Sequence, residues 1–161
     1  CVFDDATGNL YVGEEDVAVW RMTMADPAAP PEKMATADKV RLVDDIEGMS
    51  IIRQGERSWL IVSSQGDSAY AVFRIEGPGL VYVGRFRIGG GGIDPVTQTD
   101  GLDAWSGPIG NFPEGAIAVH DHCDGDGPND PPQAVCDGKN KQQNYKLIDW
   151  RDVKKALGIA P

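Results

Sequence analysis

Two stretches of this chain, about 50 residues apart, carry the same local pattern. Ile46-Glu47-Gly48-Met49-Ser50-Ile51-Ile52 and Thr99-Asp100-Gly101-Leu102-Asp103-Ala104-Trp105 each run from an acid through a glycine into a strand-like apolar segment. A second echo accompanies the first. Residues 60–65 are matched by residues 116–121, and residues 10–15 are an earlier counterpart of both. Recurrence at such a spacing marks an array of like units, each too small to bury its apolar face alone.

The units read as short antiparallel strands. Residues 10–13 and 17–22 flank the acidic turn Glu14-Glu15-Asp16. Residues 25–39 are proline-rich and read as a linker, with a helical turn expected at 32–37. Strands at 48–52, 59–64, 69–75 and 80–88 then make a meander, its last two strands separated by Glu76-Gly77-Pro78-Gly79. Further strands are expected at 99–105, 116–121 and 144–150, and residues 151–157 read as a short C-terminal helix. Gly89-Gly90-Gly91-Gly92 has no Lys-Ser/Thr after it and reads as a linker between units rather than a phosphate cradle.

The expected fold is all-β: about three four-stranded antiparallel blades of a larger β-propeller, occupying residues 1–161. The first blade is expected to lack its opening strand and the last its fourth. Closure would then need the rest of the ring, in the same protein or in another chain. An eight-stranded sandwich is the alternative.

Composition narrows the function. With 41% hydrophobic and 25% charged residues, the chain can build a core and is not a disordered segment. A net charge of −10 argues against nucleic acid held by Lys and Arg, but allows a polyanion bridged by divalent cations. No apolar run approaches the ~20 residues of a membrane span. Residue 1 is Cys rather than Met, so the chain is expected to be a processed or excised piece.

Three cysteines are present. Cys123 and Cys136 bracket a loop rich in Asp, Gly and Pro, which a disulfide would hold by roughly 3 kcal/mol. That bond implies an oxidising compartment, so the chain is expected to be secreted or periplasmic. Zinc held by His120, His122, Cys123 and Cys136 is the rival reading, although no Cys-x₂-Cys spacing supports it. Cys1 is left over.

Acids cluster at expected strand ends: Glu14-Glu15-Asp16, Asp44-Asp45-Ile46-Glu47, Asp94, Asp100, Asp103 and Asp121. Asp45 and Glu47 are two apart and share one side of an extended chain. In a propeller, equivalent loops converge near the central channel, and oxygen ligands from several loops suit Ca²⁺. Taken singly, each acid is better explained as a turn residue bonding its own backbone; Glu15 and Glu47 together, at matching blade positions, favour the metal. Asp124-Gly125-Asp126-Gly127 fails as an EF-hand because Pro128 stands at the fifth position. His120 is expected to make a hydrogen bond at a strand end. Trp20, Trp59, Trp105 and Trp150 are expected to anchor the core.

Four segments together resemble the β-propeller phytases. They are Cys1-Val2-Phe3-Asp4-Asp5 with Gly8-Asn9-Leu10-Tyr11-Val12-Gly13-Glu14-Glu15-Asp16, then Asp45-Ile46-Glu47-Gly48, Ser63-Ser64-Gln65-Gly66-Asp67-Ser68-Ala69-Tyr70, and Thr99-Asp100-Gly101-Leu102-Asp103. They occur in the family's order, and the similarity runs on to Asn144-Tyr145-Lys146 and Trp150. It matches the C-terminal half of a six-bladed ring.

The resemblance implies a calcium-dependent phosphomonoester hydrolase acting on inositol hexakisphosphate. Glu15, Asp45 and Glu47 match calcium-ligating positions of the catalytic cluster. Glu15 would hold or deprotonate the attacking water, and Asp45 and Glu47 would hold metal. Asp94 matches a ligand of a stabilising calcium, and Asp100 an acidic position near the site. Asp121 aligns with an acidic residue usually preceded by Gln and followed by Gly, where this chain has His120 and His122. The family's substrate-holding Lys and Arg lie mostly in the other half of the ring. Two other readings compete: a non-catalytic calcium-binding half with a docking role, and another calcium propeller hydrolase such as a lactonase.

Overall fold

The computed structural model describes residues 1–90, 93–124 and 142–160. Among the described residues, eleven strands form three antiparallel sheets, each built from strands consecutive in sequence. The first holds β1 (Val2–Asp4), β2 (Asn9–Glu14), β3 (Ala18–Thr23) and β4 (Glu32–Thr36). The second holds β5 (Ile46–Gln54), β6 (Arg57–Ser64), β7 (Ala69–Glu76) and β8 (Gly79–Phe86). The third orders β9 (Leu102–Trp105), β10 (Ala116–Asp124) and β11 (Gln142–Asp149) as β11-β10-β9, and helix α1 (Trp150–Leu157) follows.

The middle sheet is buried on both faces. Along β6, Trp59 and Ile61 point into one core while Leu60 and Val62 point into another. The period-2 alternation continues in β7, where Tyr70 and Val72 join the first core and Ala71 and Phe73 the second. The first core is shared with β10 and α1 through Ile117, Val119, Trp150 and Val153, and the second with the first sheet through Tyr11 and Val19. A near-continuous apolar run such as Trp59-Leu60-Ile61-Val62 is what a strand covered on both sides requires.

Three expectations need correction. Residues 32–36 are strand β4, not a helical turn; they pair with β3 from Ala18↔Thr36 to Arg21↔Glu32. The first sheet therefore has four strands, β1 included, while the last has three among the described residues. Of the tryptophans, Trp59 and Trp150 are core anchors with ring centroids 5.5 Å apart, but Trp105 is 60% exposed. Trp20 is half-buried at the surface beneath the Lys33 ammonium, 4.9 Å from the ring centre.

Asp149 caps α1 by accepting the Arg151 N–H at 2.9 Å, and Gly158 ends the helix in the left-handed conformation. Cys1 is free, and Cys123 is buried and disulfide-bonded. Cys136 and residues 125–128 of the loop weighed as an EF-hand lie outside the described residues, as do Gly91 and Gly92.

Candidate metal centre

The turn between β2 and β3 lies against the start of β5. The Glu15 carbonyl accepts the Ile46 N–H at 2.9 Å, so Glu15 is pinned to the residue between Asp45 and Glu47. Asp45 itself sits at φ +64°, a conformation that aspartate tolerates better than most residues. The 3₁₀ turn Gln65–Asp67 clasps this backbone from the other side, with Gln65 N–H donating to the Asp45 carbonyl at 2.9 Å and Gly66 N–H to that of Asp44 at 3.2 Å.

The third sheet approaches at Gly48. A Cβ there would stand 2.8 Å from both the Asp100 carbonyl oxygen and the Leu102 nitrogen, closer than real Cβ atoms come. The acid-glycine pair is thus a packing device: the glycine lets the next sheet in, and Asp100 arrives beside Glu47. The Gln65 side-chain amide donates to the Asp100 carboxylate, tying the second sheet to the third.

The result is a patch of four carboxylates drawn from all three sheets. Burial raises the Glu47 pKa, and the neighbouring charges of Glu15, Asp100 and Asp45 raise it further. Glu15, Asp45 and Asp100 are exposed, and Glu47 is half-buried. In the same 3₁₀ turn as Gln65, Asp67 accepts from Arg85 at 2.6 Å and from Arg87 at 2.7 Å.

Asp94 and Asp121 form a separate group. Asp121 is fully buried and accepts the Thr97 N–H at 2.9 Å, and its other oxygen bonds the Lys146 ammonium. Asp94 pairs with the same ammonium at 3.0 Å. The cation between these two carboxylates is a lysine. Burial alone would lower the Lys146 pKa, but Asp121 and Asp94 outweigh it and raise it.

The His120 ring faces Asp100, with Nδ1 3.4 Å from Oδ2 and 3.4 Å from the Asp100 backbone nitrogen. Asp103 belongs to neither group; it accepts the Ser50 hydroxyl at 2.9 Å.

The family model for phytase matches residues 1–161. The 3-phytase of Bacillus subtilis (strain 168) is 34% identical over 167 residues, covering 99% of this chain and 40% of the relative. The chain belongs to the phytase family. It spans about 40% of the length of that curated relative. In this chain Glu15, Asp45, Glu47 and Asp100 lie close enough for their charges to act on one another, while Asp94 and Asp121 share the Lys146 ammonium instead. Sequence reasoning missed Gln65 and Lys146. Gln65 stood inside a motif already noticed, and a polar residue in a tight turn facing an acidic loop was the available signal.

Proposed function

We propose that this chain is the calcium-binding C-terminal portion of a propeller phytase, a phosphomonoester hydrolase that releases phosphate from inositol hexakisphosphate. The observation that carries the reading is the convergence of Glu15, Asp45, Glu47 and Asp100 with their charges raising the Glu47 pKa. Such a set of hard oxygen donors fits Ca²⁺, which accepts six to eight oxygens in flexible geometry.

Asp45, Glu47 and Asp100 would hold the ions, with Gln65 orienting Asp100. When bound, calcium offsets repulsion between these carboxylates and the substrate's phosphates and polarises a phosphoryl oxygen. Glu15, exposed at the tip of its turn, would orient the attacking water and take its proton. Rigid placement of these side chains by the inter-sheet hydrogen bonds contributes positioning, the main demand of phosphoryl transfer.

The three sheets are read as blades of a six-bladed ring completed by the remainder of the protein. In support, the outer face of the third sheet exposes Trp105, Tyr145 and Leu147 beside an apolar depression of about 290 Å³. A secreted or periplasmic location is part of the proposal and rests on the disulfide-bonded Cys123.

The test uses the full-length protein. Phosphate release from calcium phytate should stop with chelator and return with calcium. Glu15→Gln should lower turnover by about 10²–10⁴-fold, the usual contribution of a positioned acid-base group. Normal turnover by Glu15→Gln at saturating calcium would remove Glu15 from the mechanism. Calcium binding without any turnover by the wild type would favour a docking role.

A further inference from the structure

We propose that Asp100, His120 and His122 form a second metal site, selective for a first-row divalent transition ion such as Zn²⁺, which shares only Asp100 with the acidic patch. One ligand atom from each of the three residues can be chosen so that all lie within 4.8 Å of one another. The closest identified pair, His120 Nδ1 and Asp100 Oδ2, is 3.4 Å apart. Two ligands each ~2.0–2.1 Å from a tetrahedral zinc ion lie roughly 3.4 Å from one another, so this edge already has the required length. To close on an ion, His120 Nδ1 gives up the Asp100 N–H that it accepts at 3.4 Å, and the Asp100 carboxylate, held by Gln65, turns with the half-buried His122 ring toward it.

The strand makes the arrangement. His120, Asp121 and His122 alternate along β10, so both imidazoles take one face and Asp121 takes the other, where Lys146 and Thr97 hold it. His120 is 6% exposed, its ring packed 5.7 Å from that of Tyr145 and 6.2 Å from that of His122. The Gln143 side-chain amide lies 3.3 Å from His122 Nδ1. An amide can turn either its oxygen or its NH₂ to the ring, so it can support whichever tautomer a ligated His122 requires.

Chemistry separates this site from its neighbour. Imidazole nitrogen favours Zn²⁺ and its first-row relatives, whereas calcium favours oxygen. Two imidazoles at the edge of a carboxylate patch therefore divide the same acidic surface into a calcium side and a transition-metal side. The site shares Asp100 with the proposed calcium cluster, but its two nitrogen ligands, His120 and His122, are not used by the phytase reading.

The test is a titration of Co²⁺ into the metal-stripped, full-length protein in excess calcium, followed by visible absorption. One Co²⁺ should bind with the intense bands of a low-coordinate nitrogen-oxygen site, and Zn²⁺ should displace it. His122→Gln should abolish the bands and weaken binding beyond the ~10–100-fold that loss of an outer hydrogen-bond partner costs. Glu47→Gln should leave the Co²⁺ spectrum unchanged, which separates this site's failure from failure of the calcium reading. Thermal unfolding of His122→Gln without metal checks its fold; if it is unfolded, the same spectral loss in Asp100→Asn, at an exposed position, decides. Retention of the bands in the folded His122→Gln or in Asp100→Asn, displacement of Co²⁺ by calcium, or no stoichiometric Co²⁺ binding would overturn the proposal.

Discussion

Glu47 is where the electrostatics of the acidic patch can be read from one residue. Burial and the charges of Glu15, Asp100 and Asp45 raise its pKa above the ordinary value of 4.5. The folded protein therefore binds that proton more tightly than the unfolded chain does. Stability from this group is fully present below pH 4.5 and is lost as pH rises through the folded pKa. In chelator at neutral pH, Glu47→Gln should then be more stable than wild type, with the gain vanishing in acid. Added calcium should reverse the order, because only the wild-type carboxylate can bind the ion that offsets its neighbours. Thermal unfolding at about pH 4 and pH 7, each with chelator and with calcium, measures both signs. A variant less stable than wild type in chelator at neutral pH would show that Glu47 is not held against like charge.

At the scale of elements, the site depends on how closely β5 and the segment leading into β9 approach at Gly48. Gly48→Ala would push a methyl against the Asp100 carbonyl and the Leu102 nitrogen, both backbone atoms that cannot swing aside. The expected cost is about 1–3 kcal/mol in urea unfolding, the range for overpacking, with weaker calcium binding by calorimetry as Asp100 moves off. An unchanged stability and affinity would mean that the strands separate freely there. The glycine and the acids beside it were legible in the sequence because they recur with the repeat. So was the middle sheet, whose apolar runs show directly that β6 and β7 are covered on both faces. Strand β4 was not. Glu-Lys-Met-Ala-Thr has little apolar alternation, and its pairing comes from an edge that β3 already offers. Lys146 was equally hidden, since its partners Asp94 and Asp121 are distant in sequence and only the fold brings their charges to one ammonium.

Among the described residues two cores lie between three sheets, and the outer surface of the third sheet exposes three large apolar or aromatic side chains beside Asp103. On that face Trp105 is 60% exposed, Leu147 61% and Tyr145 76%, values that would suit polar side chains if water were their lasting environment. Along β9 the neighbours of Trp105 alternate as a covered strand does, with Leu102 and Ala104 packed on the core and Asp103 outward. The face therefore has an inner surface that is satisfied and an outer one that is not. If a sheet from the rest of the protein closes on it, Trp105 passes from surface to core. Trp105→Ala in the full-length protein should then cost about 3–5 kcal/mol, as loss of a buried tryptophan does, against the ±0.5 kcal/mol typical of an exposed position. The indole emission lost with Trp105 should also be blue-shifted, reporting a dry environment. A cost near zero, with red-shifted emission, would leave this face in water and require that the ring, if there is one, close elsewhere.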